Sequence, residues 1–181
     1  KLGLRLFDSN GRVEYDNNFA AATTDRHHAK TEVCSVSVFS ENRFADWWTS
    51  KLTLGQGLDR NDAFLNGAAS SRTRSTQNQI NWHNDLVFAP GQRATLGFEN
   101  LRQKVDSTTA YTRDSRRVNS GYVGYSASFG VHQLQVNARH DRYSDFGNKN
   151  TGFLGYGLSL NPQWRASASL STAFVAPTFN D

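Results

Sequence analysis

Side chains that alternate apolar and polar over segments of about ten residues, repeated nine times between Leu2 and Ala176, constrain this chain most. A period of two is the period of a β-strand with unlike solvents on its two faces. His132 to Tyr143 shows it best: Leu134, Val136 and Ala138 alternate with Gln133, Gln135, Asn137, Arg139 and Asp141. Residues 164–171 repeat it, with Trp164, Ala166, Ala168 and Leu170 against Arg165, Ser167, Ser169 and Ser171. In 77–88, Ile80, Trp82, Leu86 and Phe88 oppose Gln79, Asn81, His83 and Asp85. In 121–129 the outward set is Gly121, Val123, Tyr125, Ala127 and Phe129.

The connections add direction. They are expected at 9–29, 40–45, 58–72, 89–92, 106–116, 130–131, 144–149 and 161–163, every odd one a long polar loop and every even one a tight turn. A meander with long loops on one rim and turns on the other is the habit of an outer-membrane β-barrel, whose turns are periplasmic. The strand at Lys1 would then run outward. Trp47, Trp48, Phe88, Phe129 and Trp164 gather near the turn ends, where a ring with an apolar body and a polar N–H or O–H suits a membrane boundary. The fold class expected is all-β: an antiparallel up-and-down meander, a partial transmembrane β-barrel of about nine strands. Nine is odd, and bacterial barrels close on even numbers, so the chain reads as an arc of something larger.

Composition restricts the alternatives. The mean hydropathy is -0.63 and no run of about 18 apolar residues occurs, which excludes membrane helices but leaves barrel strands open. Twenty Lys and Arg against 16 Asp and Glu give a formal charge of +4. Those bases are scattered, without an RNA-binding motif or a basic helix, so no nucleic acid is expected as partner. Cys34 stands alone, which removes any disulfide framework within the chain. His27 and His28, adjacent on a strand, point to opposite faces and cannot both join one metal site. Ser, His and Asp abound, but no nucleophile elbow accompanies them, and no enzyme is expected. A soluble β-sandwich binding module remains the alternative from another class.

Two stretches carry a family likeness. Arg139-His-Asp141 leads to Ser144-Asp-Phe-Gly147, and further on Ser171-Thr-Ala-Phe174-Val-Ala176-Pro177 follows. This pairing resembles the barrel of TonB-dependent outer-membrane receptors, and within them the cobalamin receptors, over essentially all of 1–181. The resemblance implies a 22-stranded barrel with an N-terminal plug that binds TonB, of which this chain holds middle strands only. It implies an outer-membrane location amid lipid, and capture of cobalamin on extracellular loops for TonB-driven import. A siderophore-iron or haem receptor is the alternative inside the class.

The likeness also suggests sites. The first loop, with Tyr15, Asp16 and later Asp25, resembles the calcium-binding loop of cobalamin receptors, although Glu14 stands where those have Asn. It implies calcium held partly by Tyr15, Asp16 and Asp25, since Ca²⁺ takes six to eight oxygen ligands. By the same resemblance Asn17 and Ser71 would contact the ligand, with Tyr15, Phe19 and Phe64 adding aromatic contacts. The plain alternative is a polar loop whose Asp and Asn residues make turns.

Overall fold

The computed structural model describes residues 1–16 and 25–179. Nine strands form one antiparallel sheet in chain order: β1 (Leu2–Tyr15), β2 (His27–Ala45), β3 (Trp48–Leu65), β4 (Ala68–Ala89), β5 (Gln92–Ser107), β6 (Ser115–Phe129), β7 (His132–Tyr143), β8 (Gly147–Ser159) and β9 (Arg165–Ser171). The sheet is open, with β1 and β9 as its edges. The expected arc of a barrel is therefore observed.

Register assigns the faces, because residues opposite each other across a strand pair point to the same side. Leu4 pairs with Val38, Val38 with Leu54, Leu54 with Ile80; further round, Leu96 pairs with Val123, Val136 with Leu154 and Leu154 with Leu170. One continuous apolar belt thus crosses every strand on the outward face. It has no partner in the chain: Leu2 is 81% exposed, Leu6 72% and Leu170 73%. Among the described residues the buried hydrophobic side chains are Ala29, Val105, Val118 and Ala127. A soluble sandwich of this size would bury a whole layer of large side chains. Here the apolar face needs lipid.

The strands overrun the expected connections. The stretch 58–72, expected as a loop, is the upper part of β3 and β4 joined through Asn66 and Gly67. Both have positive φ, 51° and 85°, as a tight two-residue hairpin of this hand demands. Alternation fails as a signal there because both faces are wet: Asp59 and Asn61 lie on one side, Arg60 and Asp62 on the other. From Leu54 to Leu65 the strand advances eleven residues, roughly 37 Å at the usual rise, well past a hydrocarbon layer. The first connection likewise shrinks to 16–26, and the turn at 40–45 to 46–47. The connections still alternate between two rims, but the expected contrast in length holds only in part, since 66–67 and 144–146 are shorter than 160–164. Connections 16–26, 66–67, 108–114 and 144–146 lie on one rim; 46–47, 90–91, 130–131 and 160–164 lie on the other.

The turn rim carries the aromatic girdle. Trp48 Nε1 donates to Asn84 Oδ1 and Trp82 Nε1 to Ser50 Oγ, each at 3.0 Å, on the outward face. Asn84 is only 2% exposed. These cross-strand bonds give the indole N–H groups partners at a depth where water is scarce.

Candidate ligand rim and lumen face

At the loop rim, Tyr15 and His27 end β1 and β2 as directly opposed residues, their rings 5.6 Å apart on the inward face. His28 faces outward and stacks on Phe64 at 4.6 Å. The two histidines do point to opposite faces, and Phe64 belongs to the outer surface rather than to a ligand-facing one. Asp25 Oδ1 accepts from Asn66 Nδ2 at 2.9 Å, while Asn66 Oδ1 accepts from the Arg26 backbone N–H at 2.9 Å. The start of β2 is thereby tied to the β3–β4 hairpin. Asp16 is exposed at the mouth of the first connection.

Ser71 sits in a strand, not in a loop. It pairs with Ala63, itself opposite Ala29, which puts its side chain on the inward face below the hairpin. Tyr15, Asp16, Asp25 and Ser71 therefore share one rim. Asn17 and Phe19 lie outside the described residues. Among the described residues no three His, Cys, Asp or Glu side chains converge into a metal-binding group.

Deeper in, the inward face carries a polar network. Arg139 Nη2 donates to Glu99 Oε2 at 2.7 Å and to Ser120 Oγ at 2.8 Å, and Arg139 Nε donates to Asp141 Oδ1 at 2.8 Å. Gln79 donates to Glu99 as well. His83 Nε2 donates to Asp85 Oδ2 at 3.2 Å, which leaves Nδ1 to accept from the Tyr122 hydroxyl at 2.9 Å. The Tyr122 side chain lies across Gly97, where an added Cβ would run into the ring and come within 2.8 Å of the Trp82 carbonyl oxygen. A cavity of about 460 Å³ opens beside this network, lined by Tyr122, Asn137, Arg139, Thr151 and Phe153 among others.

A second cluster joins the two family-like motifs. Arg116 Nε donates to Asp145 Oδ2 at 2.7 Å, with both side chains buried, and Arg116 Nη2 donates to the Pro177 carbonyl at 2.9 Å. Phe174 meets Tyr143 edge-on at 5.4 Å and Phe146 at 6.4 Å. The segment after β9 is thus drawn back over the inward face, where it roofs a cavity of about 590 Å³ with Ser35, Asp59, Gln77 and Gln103. Arg116 was not singled out in the sequence. Its inward place in the alternation is the signal that would have found it.

The arrangement is a polar, hydrogen-bonded inward face with hollows beside it.

No family model matches the chain. The vitamin B12 transporter BtuB of Photobacterium profundum is 27% identical over 183 residues, covering 100% of this chain and 29% of that protein. The vitamin B12 transporter BtuB of Vibrio vulnificus is 29% identical over 175 residues, covering 93% and 28%. The chain spans less than a third of the length of either. Among solved structures, the siderophore receptor PirA from Acinetobacter baumannii superposes with a TM-score of 0.71 at 14% identity, over 98% of this chain and 34% of the receptor. PirA from Pseudomonas aeruginosa gives 0.70 at 17% identity. The fold is that of a stretch of a TonB-dependent receptor barrel.

Proposed function

We propose that this chain, an outer-membrane barrel segment and not an enzyme, belongs to a receptor that binds cobalamin at its loop rim and imports it with energy delivered by TonB through a plug domain. The observation that carries the ligand is the alignment with vitamin B12 transporters along the full chain. The polar inward face fits the rest of the reading: a lumen of paired charges accommodates a folded plug, and the unpartnered belt fits outer-membrane lipid.

Tyr15, Asp16 and Asp25 would supply part of a calcium shell at the first connection, with Asn17 and Ser71 touching the ligand. Hard oxygen donors at an exposed rim suit Ca²⁺, and the Asn66 bond to Asp25 would hold one of them in place. The test uses the full-length parent receptor in detergent, titrated with cyanocobalamin and with ferric siderophores, with and without a calcium chelator. Saturable cobalamin binding weakened by chelation is expected. Binding of a ferric siderophore in place of cobalamin assigns the parent to the other branch of the class.

A further inference from the structure

On the outward face just above the apolar belt, the register opposes like charges. Arg60 stands directly across from Arg74, and Arg102 directly across from Arg117. Directly opposed residues have Cβ atoms about 5 Å apart, and like charges there are destabilising. Arg60 is relieved by Asp62 at 2.6 Å. Arg74, Arg102, Arg117 and, one strand on, Arg142 are all exposed, and among the described residues their guanidinium groups meet no carboxylate. The inward Arg116 and Arg139 are, by contrast, both paired with acids. A surface that leaves arginines facing each other calls for an anion from outside.

Two adjoining hollows show its shape. One, of about 470 Å³, is lined by the belt residues Val36, Val38, Leu54 and Ile80 and reaches Asn78 and Arg102. The next, of about 390 Å³, is lined by Asn78, Arg102, Lys104 and Arg117 with Thr76 and Ser115. They share Asn78 and Arg102, which are themselves opposed residues. An apolar trough thus opens at its upper end into a basic, hydroxyl-rich cup.

We propose that this face of β2–β6 is a docking site for a phosphorylated lipid of the outer leaflet, an acyl chain lying along Val36, Val38, Leu54 and Ile80 and a phosphate held between Arg102 and Arg117. The inference rests on the barrel reading, which puts the loop rim outside and this row at the outer headgroup level. Two guanidinium forks match a phosphate's oxygens and cancel the repulsion that the register builds in. A free phosphate would fill the cup alone and leave the trough bare, so the joined hollows favour the lipid.

The full-length parent receptor in maltoside detergent, titrated with diphosphorylated lipid A and with its dephosphorylated counterpart under native mass spectrometry, tests this. Wild type is expected to retain the phosphorylated form and to lose roughly tenfold in affinity in R102Q/R117Q, as removal of charge-assisted bonds implies. The lumen-facing substitution Lys51→Gln removes the same kind of charge and is expected to change nothing. Equal retention of both lipids, equal binding by the double variant, an effect of Lys51→Gln, or displacement by millimolar inorganic phosphate would each overturn the site. A heat-modifiable gel shift reports the barrel separately. A parent without that shift overturns the barrel reading together with the site, whereas a shifted parent that fails the lipid test overturns the site alone.

Discussion

The lower and upper halves of the β3–β4 hairpin are the same two strands in two solvents. Below, Leu52 faces Trp82 and Leu54 faces Ile80, all four turned outward. Above, the same outward positions hold Arg60, Asp62, Arg72 and Arg74, and the fold is held by the backbone ladder and by ion pairs of Asp62 to Arg60 at 2.6 Å and to Arg72 at 2.9 Å. Backbone pairing needs no particular side chain, so it continues unchanged through both environments. What changes is which side chains the solvent tolerates. The lower half is specified by patterning, the upper half by its turn and its charges.

The largest test of that contrast is Leu54→Arg in the parent receptor. A charge on the lipid face near mid-belt is expected to cost about 2–4 kcal/mol, read as a lower urea midpoint in lipid or detergent. The same charge placed above on the exposed inward face, Asn61→Arg, is expected to stay within about 0.5 kcal/mol, as for other wet surface sites. A comparable cost at both positions breaks the comparison. Next is Gly97→Ala on β5, beside the lower half, where the new methyl meets the Tyr122 ring and the Trp82 carbonyl. An overpacking cost of about 1–3 kcal/mol is expected, together with loss of the His83–Tyr122 bond.

In the upper half, Asn66→Val puts a β-branched residue at φ 51° and removes both Asn66 side-chain bonds to the start of β2. A cost of about 1–2 kcal/mol is expected from the backbone alone, with faster amide exchange confined to the hairpin. Smallest is the acid response. The Arg60 hydrogen bond, opposed by desolvation and aided by Arg72, holds the Asp62 carboxyl below its ordinary range. Stability from a depressed carboxylate is present above the unfolded value of about 3.9 and is lost as pH falls through the folded one. Protection of the hairpin amides, taken relative to their intrinsic exchange rate at each pH, should therefore fall below about pH 4, and Asp62→Asn should abolish that pH dependence of protection.

The same contrast explains what was legible beforehand. Strand number, order and faces followed from alternation because the belt residues Leu134, Val136 and Val123 have no alternative solvent but lipid. The hairpin at 58–72 reads as a loop because Asp59, Arg60, Asn61 and Asp62 are polar on both faces, and a period of two leaves no trace where both sides are wet. The Asn66-Gly67 pair held the missing turn signal. Tyr15, Asp16, Asp25 and Ser71 lie on one rim, Ser71 arriving there on a strand rather than in a loop. The opposed arginines on the outer face were invisible because they depend on register: Arg102 and Arg117 lie on different strands, and only the ladder makes them neighbours.

The chain's four tryptophans, Trp47, Trp48, Trp82 and Trp164, all lie in the half nearer the turns, three of them within two residues of a turn. The segment is therefore optically lopsided. Ultraviolet emission from it watches the turn half and is blind to the loop rim, so a molecule settling on that rim leaves the signal undisturbed unless it absorbs across the distance. A tryptophan placed at Ser71 would light the dark end.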